Sequence, residues 1–250
     1  MSIDSLFLTR QGETSESYMK TDKIIQMISD GLYIFSNGEF IKTEKLYNLE
    51  KDNKIEKPKS IIISGDWIID NKEQSKCISI DANILGGFDK LELTDNIIKI
   101  PICNATKENV KYYNCELIED NEIITFKTDK DLPFFTVSIG KDYIKDYIMK
   151  KEIGGGVYLE YHNTPHFHTP FDKLSSGFII IGKKIEKNIE LTGFIISFGF
   201  GLYIPPYVIH NDCFLIGNWN VIYTYAEEFS TALLVCNNEL VSVESESISK

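Results

Sequence analysis

The chain has 250 residues, 43% of them apolar and 12% aromatic, enough to bury a sizeable core as one large domain or two small ones. Its formal charge of −11 argues against nucleic acid and against an anionic membrane surface as partners, since both select basic patches. Arg10 stands alone among 26 basic residues. A pocket built from this chain is therefore expected to do without the arginine fork that usually grips carboxylate or phosphate.

In chain order, residues 15–35 carry Ile24, Ile25, Ile28 and Leu32 at helical spacing, with Thr21 or Asp22 as N-cap and Gly31 near the end. That spacing predicts a helix within an N-terminal helical or irregular arm over 1–58. Residues 47–60 are charged and contain Pro58, so they read as an exposed connection. From 60 to 140, short β-rich runs such as "SIIISGDWIID" and "EIITFKT" are separated by Asn, Asp and Gly turn signals. This region has no histidine, and it fits a degenerate second barrel, a lid or a dimerisation surface. Tyr143, Ile144, Tyr147 and Ile148 then predict a short helix within 141–153. A second β-rich region over 150–240 opens at Gly154–Gly156 and points to an antiparallel sandwich or barrel. The polar tail 241–250 reads as disordered.

No run approaches the roughly 18 apolar residues of a membrane span, and the start lacks the apolar stretch of a signal peptide. The five cysteines (Cys77, Cys103, Cys115, Cys213 and Cys236) form no CxxC pair. They read as reduced thiols of a cytoplasmic protein.

Three of the four histidines fall within seven residues, in "EYHNTPHFHTPFD" over 160–172, and the fourth is His210 in "IPPYVIHND". Alternate residues of a strand face one way, so His166 and His168 point to one side and can chelate one ion. Glu160 and His162 share that parity, although Pro165 interrupts a continuous strand. Asp172 and His210 complete the expected metal set of His166, His168, His210 and Asp172. Three imidazoles and one carboxylate suit one divalent transition metal ion: Fe, Mn, Ni or Zn. Glu160 and His162 remain as candidate catalytic groups, Glu160 as general base. Tyr161, Tyr203, Trp219 and Tyr223 are candidates for lining a substrate pocket.

"HFHTPFD" followed by "GLYIPPYVIH" resembles the two motifs of the cupin superfamily. The first reads His-x-His, three or four residues, then Glu; the second reads Gly, a few residues, Pro-x-Gly-x-x-His. His166 and His168 match the paired ligands, Asp172 the Glu, and Pro205 and His210 the second motif. Three positions depart from the pattern. Asp172 is a methylene shorter than Glu, Tyr207 stands where Gly is usual, and the first motif's opening Gly falls at Glu160, with Gly154–Gly156 just upstream. The resemblance covers roughly residues 154–236. It implies a mainly β, cupin-type antiparallel β-barrel (a double-stranded β-helix, jelly-roll-like) with a few short helices, bicupin-like if 60–140 is a second barrel. It also implies a homodimer.

The resulting expectation is a metal-dependent enzyme of the isomerase or epimerase kind, acting on a small molecule such as a sugar or sugar acid. An Fe(II) dioxygenase uses the same ligand set, and a non-catalytic ligand-binding module uses the same barrel.

Overall fold

Isoleucine, valine, phenylalanine and tyrosine fill the short runs between Asn- and Gly-containing turns, and those runs form strands. A computed structural model of the chain describes residues 6–44, 54–69 and 89–247. It is 57% strand and 8% helix. The N-terminal part supplies β1 (Thr9–Gln11), β2 (Tyr18–Ile28), β3 (Gly31–Ser36) and β4 (Glu39–Thr43). Next come β5 (Ile61–Ile68), β6 (Asp89–Leu93), β7 (Ile97–Asn104), β8 (Glu116–Glu119), β9 (Glu122–Phe126) and β10 (Leu132–Ile139). The second half begins with β11 (Tyr158–His162), β12 (His166–Pro170), β13 (Ser176–Gly177), β14 (Ile179–Ile185) and β15 (Asn188–Ile195). It continues with β16 (Phe200–Ile204), β17 (Ile209–Asn211), β18 (Leu215–Ile222), β19 (Phe229–Cys236), β20 (Glu239–Leu240) and β21 (Ser242–Ser247). Helical structure is confined to short pieces, including α1 (Lys107–Val110) and single turns at Ile144–Ile148 and Lys151–Ile153. The last two occupy the stretch expected to form one short helix.

Strands β14, β17, β11, β19, β6, β5 and β15 pair in that order, and β15 returns to β14. This closes a seven-stranded barrel, giving a cupin-like jelly roll. The barrel is mixed rather than purely antiparallel, because β19 and β6 run parallel; outside the ring, β7 runs parallel to both β15 and β21. A second sheet, in the order β1-β2-β10-β18-β12-β16-β8, lies against the barrel. The two share one core, to which Leu159, Ile181 and Leu191 contribute from the barrel and Phe135, Val137, Leu202, Trp219 and Val221 from the sheet.

The second sheet is covered on its other face too. A small sheet, β4-β3-β9, packs there through a second core of Tyr33, Phe35, Phe40, Phe126, Phe134, Phe167 and their aliphatic neighbours. The β3–β4 hairpin turns at Asn37–Gly38, both at positive φ (51° and 78°), the combination that matches the twist of paired strands. Gly201 is required where β16 crosses Phe167, since a Cβ there would sit 1.9 Å from that ring.

Three sequence expectations are corrected. The helix expected over 15–35 is instead β2 and β3. Ile24 packs on the first core, whereas Ile25 and Ile28 pack on the second, so both faces of the strand are apolar. Register shifts opposite Phe134/Phe135 and Thr136/Val137 add bulges that alter side-chain parity, and the resulting spacing imitates a helix. Among the described residues the 60–140 region does not close on itself: β5 and β6 are staves of the one barrel, and β10 lies in the second sheet. The tail is ordered through Ser247, because β21 pairs with β7 and its glutamates meet Lys59 and Lys99. Cys77 and the first half of the 47–60 connection, residues 47–53, lie outside the described residues.

Phe40 is 3% exposed and meets five rings at centroid distances of 5.0–6.3 Å. Phe40→Ala is expected to lower the unfolding free energy by about 3–5 kcal/mol, read from the shift in the urea midpoint.

Candidate metal centre

Four side chains converge where the barrel meets the second sheet: Glu160 and His162 from β11, His166 from the start of β12, and His210 from β17. One ligand atom from each lies within 4.8 Å of all the others. The local sequence explains the convergence. Glu160 and His162 are two apart on one strand and share a face. Glu160 also stands directly opposite His210 in the β11–β17 pair. Residues Asn163–Pro165 turn the chain into the other sheet, which returns His166 over the same spot.

Backbone carbonyls fix two of the imidazoles. His162 Nδ1 lies 2.7 Å from the Thr164 carbonyl, and His210 Nδ1 lies 2.9 Å from that of Val208. A carbonyl only accepts, so each Nδ1 carries the proton and each Nε2 of the neutral ring presents a lone pair. Both Nε2 atoms are buried without a hydrogen-bond partner. His210 Nε2 is 3.4 Å from a Glu160 oxygen, an ion-pair approach, and the other Glu160 oxygen accepts from Thr231 at 3.2 Å. The rings crowd one another: His162 and His166 lie 4.4 Å apart by centroid, and His166 and His210 lie 4.7 Å apart.

Burial dominates the electrostatics. It pushes the His162 imidazolium pKa down to about 4, with the charge of His210 adding to the effect. His166 is held well below the ordinary value, first by burial and then by the three histidines around it. Burial acts against His210 as well, but the Glu160 carboxylate and the Val208 carbonyl outweigh it and raise this pKa. The site thus holds neutral imidazoles at His162 and His166, the form that binds metal, and pairs His210 with the Glu160 carboxylate.

These residues fit a metal ion. Bonds of about 2.0–2.2 Å place ligand atoms roughly 3–4 Å apart, so modest side-chain rotations close the set. The paired Nδ1–H to carbonyl bonds are the usual outer support that orients a ligating imidazole.

The set differs from the one expected. His168 is fully buried on the same strand, but its Nε2 meets Asp212 at 3.0 Å and it stands outside the four-residue cluster. Asp172 lies outside it as well: its Oδ1 accepts from the backbone of Leu174 (2.7 Å) and Ser175 (3.1 Å), capping its own turn. Glu160 and His162, expected as catalytic groups, take the two vacated places in the cluster.

Among the aromatic candidates, Tyr223 stands nearest, its ring 6.4 Å from His166. Trp219 is core, with its indole N–H donating to the Ile216 carbonyl. Tyr161 has the opposite parity to Glu160 and His162 and packs on Trp67. Tyr203 pairs with Phe167, the outward residue between the two histidines, and packs on the second core against Phe126.

The missed signal was the frame of the first motif. Moved back six residues, its opening Gly falls at Gly154, its paired ligands at Glu160 and His162, and its last ligand at His166. Tyr207, in the place of the second motif's Gly, has φ = 67°, so the backbone keeps the left-handed turn that the motif needs.

The lowered pKa values of His162 and His166 set a pH dependence for the ion-free protein. Below an unfolded-state value of about 6.5 the unfolded chain gains protons that the folded chain refuses, so stability falls as pH drops from about 6.5 toward 4. His210, with its raised pKa, opposes this in part. Urea midpoints at stepped pH are expected to show the fall, and His162→Asn to flatten it. No family model matches the chain, and no curated protein or solved structure matches it either.

Proposed function

We propose that Glu160, His162, His166 and His210 hold one divalent transition metal ion, and that the protein is a metal-dependent enzyme acting on a small polar molecule. The observation that carries this reading is the convergence of one ligand atom from each of the four within 4.8 Å, among them the His162 Nε2, buried with no hydrogen-bond partner. Leaving such groups buried and unmet costs about 1–3 kcal/mol each, and a bound cation removes that cost. In the bound state the ion supplies Lewis-acid polarisation of a carbonyl or hydroxyl oxygen, or oxygen chemistry if it is iron.

The chain's own residues do the rest. The carbonyls of Thr164 and Val208 hold the two imidazoles in the ligating tautomer. Thr231 steadies Glu160. Ile181, opposite His210 in the β14–β17 pair, belongs to the buried apolar core.

The reaction we favour is the isomerase or epimerase kind, on a small molecule such as a sugar or sugar acid. The second reading, an Fe(II) dioxygenase, draws support from the placement of Glu160. As a ligand it is no longer available as general base, and oxygen chemistry needs no such base within the cluster.

Elemental analysis of untagged protein tests the proposal. About one ion per chain is expected in the wild type, with loss in His162→Ala and in His166→Ala. His168→Ala should keep its metal. Loss with His168→Ala and retention with His162→Ala would overturn the ligand set, and no metal in any form after reloading would overturn the metalloenzyme. Iron would select oxygen chemistry; manganese, nickel or zinc would select the isomerase.

A further inference from the structure

The chain's single arginine lies beside the cluster. Arg10, on edge strand β1, lines a partly open, largely apolar cavity of about 60 Å³ together with Tyr143, Tyr158, Asp212, Cys213 and Tyr223. Two of these residues tie the cavity to the histidine cluster. Tyr158 shares the face of Glu160 two residues along β11, a rise of about 6.7 Å. Tyr223 is the aromatic residue next to His166.

The charges in this cavity are unevenly matched. Asp212 is committed at both oxygens: Oδ2 to His168 at 3.0 Å and Oδ1 to the Tyr158 hydroxyl at 2.8 Å. The guanidinium donates to the Tyr143 hydroxyl, and Tyr147, Tyr158, Cys213 and Tyr223 also lie within its field. Among the described residues, no carboxylate forms an ion pair with it. A guanidinium with five N–H donors and one phenolic acceptor has spare donors in a fork that matches a carboxylate. The volume corresponds to about two waters, or one small carboxylate group.

We propose that this cavity is a carboxylate subsite and that Arg10 is its anion-binding residue, so the substrate is a short hydroxy- or oxo-carboxylic acid. The carboxylate sits at Arg10 and the oxygen function lies on the side of the histidine cluster. The proposal deepens the metalloenzyme reading and rests on it for the reaction, but not for anion binding. It also reverses the sequence expectation that a pocket here would have no arginine fork. The acid side of the sugar or sugar acid class is selected over the neutral sugar.

Sodium acetate is the probe, added to full-length protein at constant ionic strength, once stripped of metal with a chelator and once reloaded. Thermal unfolding is expected to shift upward by a few degrees, saturably, in both forms. Arg10→Gln is expected to abolish the shift. Arg10→Lys keeps the charge without the fork and should raise the half-saturating acetate concentration about fivefold or more. Benzoate, too large for the cavity, should give no shift in stripped wild type. If Arg10→Gln does not fold, the lysine variant and the acetate–benzoate contrast decide.

An absent shift in stripped wild type would overturn the subsite, as would a shift that survives in Arg10→Gln. A shift seen only after reloading and indifferent to Arg10 would place the anion on the ion; that overturns the subsite and leaves the metal reading intact. An Arg10-dependent shift in protein that takes up no metal would uphold the subsite and sink the metalloenzyme.

Discussion

The strand His166–Pro170 is buried along its whole length, so different chemistry must satisfy each of its faces. Outward, Phe167 enters a nest of rings supplied by β3, β4, β9 and β10. Inward, the strand presents two imidazoles to the barrel. An aromatic residue between two histidines thus fastens one sheet to two neighbours. The apolar side fixes the backbone, and the fixed backbone sets where the imidazoles stand. A preorganised ligand cluster needs this kind of support, because side chains on a mobile strand would lose their mutual geometry.

The inward face carries its own cost. Desolvation disfavours charged imidazoles at this depth, and crowding among the rings adds to the effect. The structure answers with neutral rings at His162 and His166 and a carboxylate beside His210. His168 instead turns to Asp212, whose carboxyl is held well below the usual range because His168 and Tyr158 outweigh its burial. Two neighbouring histidines on one strand therefore serve two systems, a ligand cluster and a hydrogen bond to Asp212 at the border of the Arg10 cavity.

Much of this was legible in the sequence, and the failures have identifiable causes. The β-rich texture gave the fold class, and histidine clustering located the site to within a few residues. His-x-His at 166–168 is the more conspicuous pattern, yet Glu-x-His at 160–162, six residues after Gly154, is the one that enters the cluster. Parity alone does not separate the two, because all four side chains face inward; what separates them is Asp212, a partner that no spacing rule connects to His168. Tyr207, a departure from the second motif in sequence, does a glycine's work at φ = 67°. Two bulges in β2 disguised a strand as a helix. The unity of the barrel was invisible because strand pairing between residues more than a hundred positions apart leaves no local mark.

That long-range pairing governs how the protein is made. β5 and β6 are synthesised early, but their outer neighbours in the ring are β15 and β19, the latter ending at Cys236. During translation the early pair has no outer partners, and its unpaired edges must wait until β15 and β19 have left the ribosome. Such a topology folds slowly, because the closure entropy of long loops is spent before these pairings form, and the open edges are exposed to wrong pairing meanwhile. The histidine-bearing third is consequently not a portable module: cut free, it would lack two staves of its barrel.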